Sequence, residues 1–412
     1  MTEAAYSKSA SSAALRRNWR ILVPLFLVVC IYSAGMASVL PILPFYLKEM
    51  GATPLIFGFV IATEAFSHFI AAPTIGQLSD RFGRKRVLFA CQAMAAGSFF
   101  LLAVAPNVFV VIVARALFGL TGGNFSAAVG YVADHTAPEN RRQAISVLTG
   151  GVGLGGVAGA GLSGLLSNAS LTLPIFAAFF LSIVAMIISL FALKADQAST
   201  TQSGSYEREK TSFRAIVSSP VIRILIIVML CHFLSYGIYS SQMPIFLAET
   251  FTWNGQAFGP QHLSYIVAAD GVINILVQLF VLGWLGGRFS ERQLILLIFG
   301  LICSGFLIAS LATTIPLLAL AVLCVSAGDA MAKPTYLAAL SVHVTASRQG
   351  VVIGSAQSLG ALTDIVSPLI GGFILGHKLY GVWIGLAITV ASIGAVLAHV
   401  RLPSTDPETQ KS

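Results

Sequence analysis

Charge is scarce in this chain of 412 residues. Asp, Glu, Lys and Arg together make up 10% of it, and only 16 residues are acidic. A water-soluble domain keeps about a quarter of its residues charged. Here 56% are hydrophobic and the mean hydropathy is +0.86, more apolar surface than a polar skin could cover. Cysteine is scarce as well. The five present, Cys30, Cys91, Cys231, Cys303 and Cys324, all fall in apolar runs, which excludes a disulfide or metal framework. No Gly-x-x-x-x-Gly-Lys-Ser/Thr loop is present, so nucleotide-driven work has no engine. No Ser/His/Asp or Cys/His grouping suggests an enzyme, and no cofactor or metal is expected. A soluble enzyme is excluded, and an integral membrane protein remains.

The net charge of +8 could suggest nucleic acid, but its distribution does not. Apolar runs predict twelve spans near 21–47, 56–78, 87–105, 107–131, 144–168, 172–193, 221–248, 262–286, 292–313, 315–341, 349–376 and 378–400. Twenty of the 24 Lys and Arg then fall on one side of these spans. Only Lys48 and Lys378 fall on the other, while Arg115 and Lys333 lie within spans. This asymmetry predicts that both termini are cytoplasmic. The basic N-terminal segment 1–20 shows no convincing cleavage site, so the first span reads as retained.

Residues 194–220 are polar and charged and read as a cytoplasmic linker between two six-helix bundles, 21–193 and 221–400, with 401–412 a cytoplasmic tail. The halves repeat. Pro44-Phe-Tyr-Leu-Lys-Glu49 recurs as Pro244-Ile-Phe-Leu-Ala-Glu249, and Gly76-Gln-Leu-Ser-Asp80-Arg81-Phe82 recurs, degraded, as Gly283-Trp-Leu-Gly-Gly287-Arg288-Phe289. Parallel six-helix repeats are one transporter architecture. Connections such as Ala105-Pro-Asn107 and Ala312-Thr-Thr314 are very short, which forces antiparallel neighbours and leaves no room for an outer domain.

The densest charge in the chain is the link from Gly76 to Arg86, with Asp80, Arg81, Arg84, Lys85 and Arg86 among eleven residues. Gly83 suits a tight turn there. At Gly76, Asp80, Arg81, Gly83, Arg84 and Lys85 the link resembles the signature between helices two and three of the major facilitator superfamily. Arg115 with Gly119 is similar to that family's span-four motif, and Gly150–Gly164 to its span-five antiporter motif. With Val132-Ala-Asp134, the resemblance is nearest to drug–proton antiporters of the tetracycline-efflux type. Two departures stand out. Ala160 occupies the motif's proline position, and Tyr32-Ser-Ala-Gly-Met36 carries no carboxylate where such pumps often have one midway along span one. The resemblance implies an all-α fold of twelve helices in two pseudo-symmetric six-helix bundles. It implies that the link 76–85 gates the cytoplasmic side, and that Arg115 supports proton coupling.

Ionisable groups within spans are costly and mark candidate sites. Glu64 and His68 share a helix face at i,i+4, as do Asp329 and Lys333. Each pair reads either as a proton or substrate site or as a self-satisfied structural pair. Asp270 and Asp364 stand alone in sequence and read either as proton or substrate carboxylates or as partners of backbone, Ser/Thr, Arg115 or Lys333. Tyr32, Asn124, His232, Tyr236, Tyr239 and Gln242 could line a mixed cavity or fill helix interfaces. The glycines of spans four and five allow close helix approach or sliding. The expected function is a proton-coupled secondary transporter of a bacterial inner membrane, exporting amphipathic small molecules as a monomer. Its partners are then a small-molecule substrate, protons and lipid. Uptake of a metabolite, organic acid or siderophore by the same fold is the alternative, and a non-transporting sensor or scaffold is the third reading.

Overall fold

The computed structural model describes residues 22–136, 138–193, 219–344 and 349–403. The N-terminal segment 1–20, most of the linker 194–220 and the end of the tail lie outside the described residues. Within them, twelve helices are long and apolar enough to cross a membrane. They are span one (Leu22–Val39), two (Pro54–Phe82), three (Arg84–Ala103), four (Val108–His135), five (Ala144–Leu166) and six (Leu173–Phe191). Span seven (Pro220–Thr250), eight (Pro260–Gly286), nine (Glu291–Leu311), ten (Ile315–Val342), eleven (Val352–Gly376) and twelve (Tyr380–Arg401) follow. Large apolar side chains such as Phe109, Leu165, Phe191, Leu279 and Phe280 point outward. Outward-facing apolar surface of this extent is what a hydrocarbon solvent requires.

The structure departs from the expected span one. A continuous 21–47 helix is replaced by Leu22–Val39, a turn at Leu40–Ile42, and a short helix Leu43–Glu49. Pro41 and Pro44 are the cause, because each lacks the amide that would continue the hydrogen-bond ladder. Span four departs as well. It runs to His135 rather than 131, and it breaks between Val108–Gly119 and Asn124–His135. The break falls at Leu120-Thr-Gly-Gly123, where two adjacent glycines disfavour helix. Neither glycine could carry a side chain: a Cβ on Gly122 would enter the His68 ring, and one on Gly123 would enter the Ile75 side chain.

Packing divides the described residues into two compact units. One joins the residues up to Leu43 with those from Ser67 to Thr200, and the other joins Pro44–Phe66 with those after Thr201. The segment 44–66, expected with the first bundle, thus packs with the second. The physical reason is a crossing without side chains. Gly58 on span two faces the carbonyl of Pro368 on span eleven. Gly372 on span eleven in turn faces the carbonyl of Pro54, where a Cβ would lie 2.6 Å from that oxygen. Each glycine sits four residues after a proline, so the contact is reciprocal.

The first unit's core gathers Leu25, Leu88, Cys91, Ala127, Tyr131 and Leu148. Span five approaches span one through Gly151, Gly155 and Gly159, which lie against Phe26, Cys30 and Ala34. In the second unit, Trp383 is fully buried and donates its indole N–H to the carbonyl of Ile238 at 2.8 Å. Its ring stacks on Tyr239 at 5.7 Å, which in turn stacks on Phe306 at 4.4 Å. Tyr239 is buried there and serves as packing. Two details had no sequence expectation. Asn254 and Gly255, both with positive φ, turn a two-stranded hairpin between Thr252–Trp253 and Gln256–Ala257. Span eight contains a wide π turn at Val277–Val281.

Candidate functional site

The signature link is built by the ends of three helices of the first unit. Gly83 adopts φ +94°, a left-handed conformation that favours glycine, and so reverses the chain between spans two and three. Arg84 then fans its guanidinium over three partners. It pairs with Asp80 one turn back, with Asp134 on span four at 3.1 Å, and with the Ser79 hydroxyl at 3.3 Å. Gly130 leaves room for it, since a Cβ there would come within 2.6 Å of the guanidinium carbon. Lys85 donates to the carbonyl of Leu193 at 2.7 Å, which fastens the end of span six. Arg81 lies over the Phe82 ring, while Gly76 has open space where its side chain would be. The partner Asp134 was visible only as part of a family resemblance.

A second group surrounds the buried Arg115. Its guanidinium lies 5.0 Å from the centroid of Phe118. Tyr32 stacks on the same ring at 5.6 Å. The Thr121 hydroxyl donates to the Phe118 carbonyl, so the Tyr32 phenol donates to Thr121, at 2.7 Å. Asn124 is buried, and its side-chain carbonyl has no partner. Gln92 on span three, unremarked in sequence, is also buried with both amide atoms unpartnered. His68 is exposed, with its ring against Gly122. Glu64, one turn earlier on span two, is half-buried.

The third group is the most highly charged, and it lies wholly within the second unit. The charges of three carboxylates on three spans, Asp329, Asp270 and Asp364, all reach the Tyr236 phenol. Span ten supplies Ser326, Asp329 and Lys333 at helical spacing, so the three share one face. Of the two readings left open for Asp329 and Lys333, the self-satisfied ion pair is not the one formed. Asp329 turns to the fully buried His232, whose Nε2 lies 3.4 Å from its Oδ1. Asp270 is hydrogen-bonded by Ser326. Asp364 feels Lys333 and Asp329.

Aromatic rings enclose the imidazole. Phe233, Tyr236, Phe299 and Tyr336 have centroids 5.2, 6.3, 6.0 and 5.6 Å from that of His232. His232 Nδ1 and the Tyr336 hydroxyl are both buried without a partner. Neutral His232 therefore carries its proton on Nε2, where Asp329 can accept it. Gln242 stands apart from this group. It is fully buried and donates to the carbonyl of Pro368 at 3.2 Å, beside the crossing of spans two and eleven. Ser326, Tyr336 and Ser367 had not been singled out. Ser326 lies one turn before Asp329, which is the signal that could have found it.

Three carboxyls with one ammonium leave two negative charges to be neutralised by protons or by a cationic ligand. A charge in hydrocarbon costs roughly 2.5–3.5 kcal/mol on insertion scales. A group of this composition therefore needs water, protons or ligand beside it.

Known proteins show the same organisation. The sequence profile of the Major Facilitator Superfamily matches residues 25–368 and 254–412. Tetracycline resistance protein class G of Vibrio anguillarum is 30% identical over 387 residues, covering 92% of this chain and 95% of that protein. The class C protein of Escherichia coli is 29% identical, covering 93% and 96%. Multidrug resistance protein 2 of Bacillus subtilis (strain 168) is 24% identical, covering 84% and 86%. The crystal structure of a point mutant of the nucleoside transporter NupG superposes with a TM-score of 0.75 at 15% identity, over 92% of this chain and 98% of that one. With twelve apolar spans, a signature link held by Arg84, and a profile match over most of its length, this chain belongs to the Major Facilitator Superfamily.

Proposed function

We propose that the chain is a proton-coupled exporter of amphipathic small molecules, working by alternating access in a bacterial inner membrane with both termini in the cytoplasm. The observation that carries this reading is the group of Asp270, Asp329 and Asp364 around Tyr236, with Lys333 its single ammonium. Protons taken up by these carboxyls change the charge of the site, and a change of charge biases one conformation over another. The relatives named for tetracycline and multidrug resistance support export as the direction. Two carboxylates that already hold polar partners, Asp329 with His232 and Asp270 with Ser326, are suited to proton exchange. Arg115 and the Tyr32–Thr121 pair form the corresponding polar group of the first unit. The working unit is read as a monomer.

The test is transport in proteoliposomes under an imposed pH gradient. Substrate movement against its own gradient is expected, and it collapses when a protonophore removes the pH difference. Movement that ignores the protonophore defeats proton coupling. The uptake alternative rests on the stretch Tyr32–Met36, which lacks a carboxylate. Right-side-out and inside-out vesicles separate the two directions.

A further inference from the structure

The joint between spans seven and eight holds a titratable ring that the transport reading does not use. His262 is the third residue of span eight. Its Nδ1 accepts the backbone N–H of Gly259 at 3.0 Å, which ties the ring to the start of the helix. A ring nitrogen that accepts carries no proton, so the neutral imidazole holds its proton on Nε2. The same ring holds the hairpin that precedes it. It stacks on Trp253 with centroids 5.1 Å apart, and it lies 5.7 Å from the Phe258 ring. Trp253 in turn meets Phe251, the residue after span seven, at 6.4 Å. Phe251 and Phe258 are buried in one cluster with Leu318 and Val322 of span ten. One imidazole thus links the end of span seven, the hairpin and the first turn of span eight.

The arrangement suits only a neutral ring. Protonation places an N–H on Nδ1. That N–H and the amide of Gly259 are then two donors pointing at each other, and the amide loses its partner. A cation in the first turn of a helix also meets the positive end of the helix dipole. Against these stands one gain, the attraction of an imidazolium for the indole face, and it survives if the ring swings away from Gly259. No charged neighbour holds the ring in place. The hairpin 252–259 carries no charge, and span ten has none before Asp329. Span seven ends in Glu249, which accepts from Tyr380. Tyr265 on span eight accepts from Gln261. Lys48 and Glu49 belong to the short helix Leu43–Glu49, whose Phe45 packs on the same cluster. Among the described residues, none of these groups pairs or bonds with His262.

We propose that His262 is a pH-sensitive clasp on this joint. Neutral, it caps span eight and holds the hairpin against it. Protonated, it releases the Gly259 amide, and the hairpin loosens. The clasp is therefore closed above the titration of the imidazole and is lost as the pH falls through it. With both termini in the cytoplasm, as proposed above, this joint faces the outer medium. The side that supplies protons to an exporter is then the side on which the joint yields. The clasp goes beyond the transport reading, and it needs neither substrate nor gradient to operate.

The experiment is hydrogen–deuterium exchange, read by mass spectrometry, on the purified full chain in lipid nanodiscs. The amides of residues 252–262 are followed from about pH 8 to about pH 5, across the ordinary imidazole range near about 6.5. Rates are corrected for the intrinsic pH dependence of exchange. Loss of one hydrogen bond should raise the corrected exchange about 2- to 10-fold as the pH falls. His262→Gln keeps an acceptor at this position without a titrating group, and should hold exchange low throughout. His262→Ala keeps neither, and should exchange fast throughout. Glu249→Gln should retain the wild-type response.

Wild-type exchange that ignores pH overturns the proposal. So does a pH response that survives in His262→Gln or in His262→Ala, and either variant is decisive if the other folds poorly. A response that vanishes in Glu249→Gln assigns the titration to that carboxylate and overturns it as well. None of these results bears on the protonophore test, so the two ideas fall separately.

Discussion

The crossing of spans two and eleven allows the sharpest quantitative test. Gly58 faces the carbonyl of Pro368, with the carbonyl carbon 3.0 Å from where a Cβ would stand, and Gly372 faces that of Pro54 at 2.6 Å. These obstacles are backbone atoms, which cannot rotate away as a side chain would. Gly58→Ala must therefore push the two helices apart. Overpacking of this kind costs about 1–3 kcal/mol. Gly372→Ala meets the same pair of helices from the other side. Once one alanine has separated them, the second finds the space already open.

The double variant should therefore cost little more than the worse single one, a coupling of about 1 kcal/mol or more, whereas independent sites add to within about 0.5 kcal/mol. The measurement is a double-mutant cycle on reversible denaturant unfolding in detergent. Additive costs would refute the idea of a single rigid contact. Neutral single variants would refute the close approach itself.

Three further outcomes follow from charged groups. Arg84→Ala removes a guanidinium shared by Asp80, Asp134 and Ser79. Because both carboxylates are more than half exposed, the loss is only about 1–2 kcal/mol. Arg84→Lys should recover part of it, since a lysine keeps the charge but lacks the fork, and thermal unfolding ranks the three proteins. Arg115→Lys should be damaging although it conserves charge, because the buried guanidinium is stacked on Phe118. A loss of about 3–5 kcal/mol, typical of a disrupted buried charge, should appear as poor yield of folded protein from membranes. Wild-type yield would show that the planar group is dispensable.

The membrane-crossing layout was legible because hydrocarbon imposes a long, nearly uniform apolar run on every span. Where the chain breaks within a run, hydropathy is silent. Pro41 and Pro44 did carry a readable signal for the end of span one. The gap in span four carried one too, the paired Gly122 and Gly123, but that His68 and Ile75 press against them is a tertiary fact. The link 76–86 was legible because its charges are so concentrated, but its outer partner, Asp134, is fifty residues from Arg84.

The charged residues of the second unit were each visible from sequence, since a carboxylate in an apolar run is conspicuous. Their grouping was not. Which faces of spans seven, eight, ten and eleven turn toward one another is set by helix rotation, which hydropathy does not fix. The i,i+4 spacing of Asp329 and Lys333 left two readings open for the same reason. Spacing permits a contact, but a buried imidazole on another helix competed for the carboxylate and won. Gln242 was left open in the sequence between lining a cavity and filling a helix interface. The structure gives it the second place, buried and bonded to the Pro368 carbonyl beside a helix crossing.

The wide turn in span eight explains a mismatch between the two halves. Pro44 and Pro244 are 200 positions apart, but Pro54 and Pro260, which open spans two and eight, are 206 apart. Six residues have been inserted, in the connection that holds the hairpin. By Gly76 and Gly283 the offset has become 207, so one more residue has entered within span eight itself. A π turn takes one residue more than an α turn, and Val277–Val281 lies between those two landmarks. The bulge is where an inserted residue was absorbed without moving the end of the helix. The duplicated ancestry of the two halves therefore remains countable, residue for residue, in the backbone of the second.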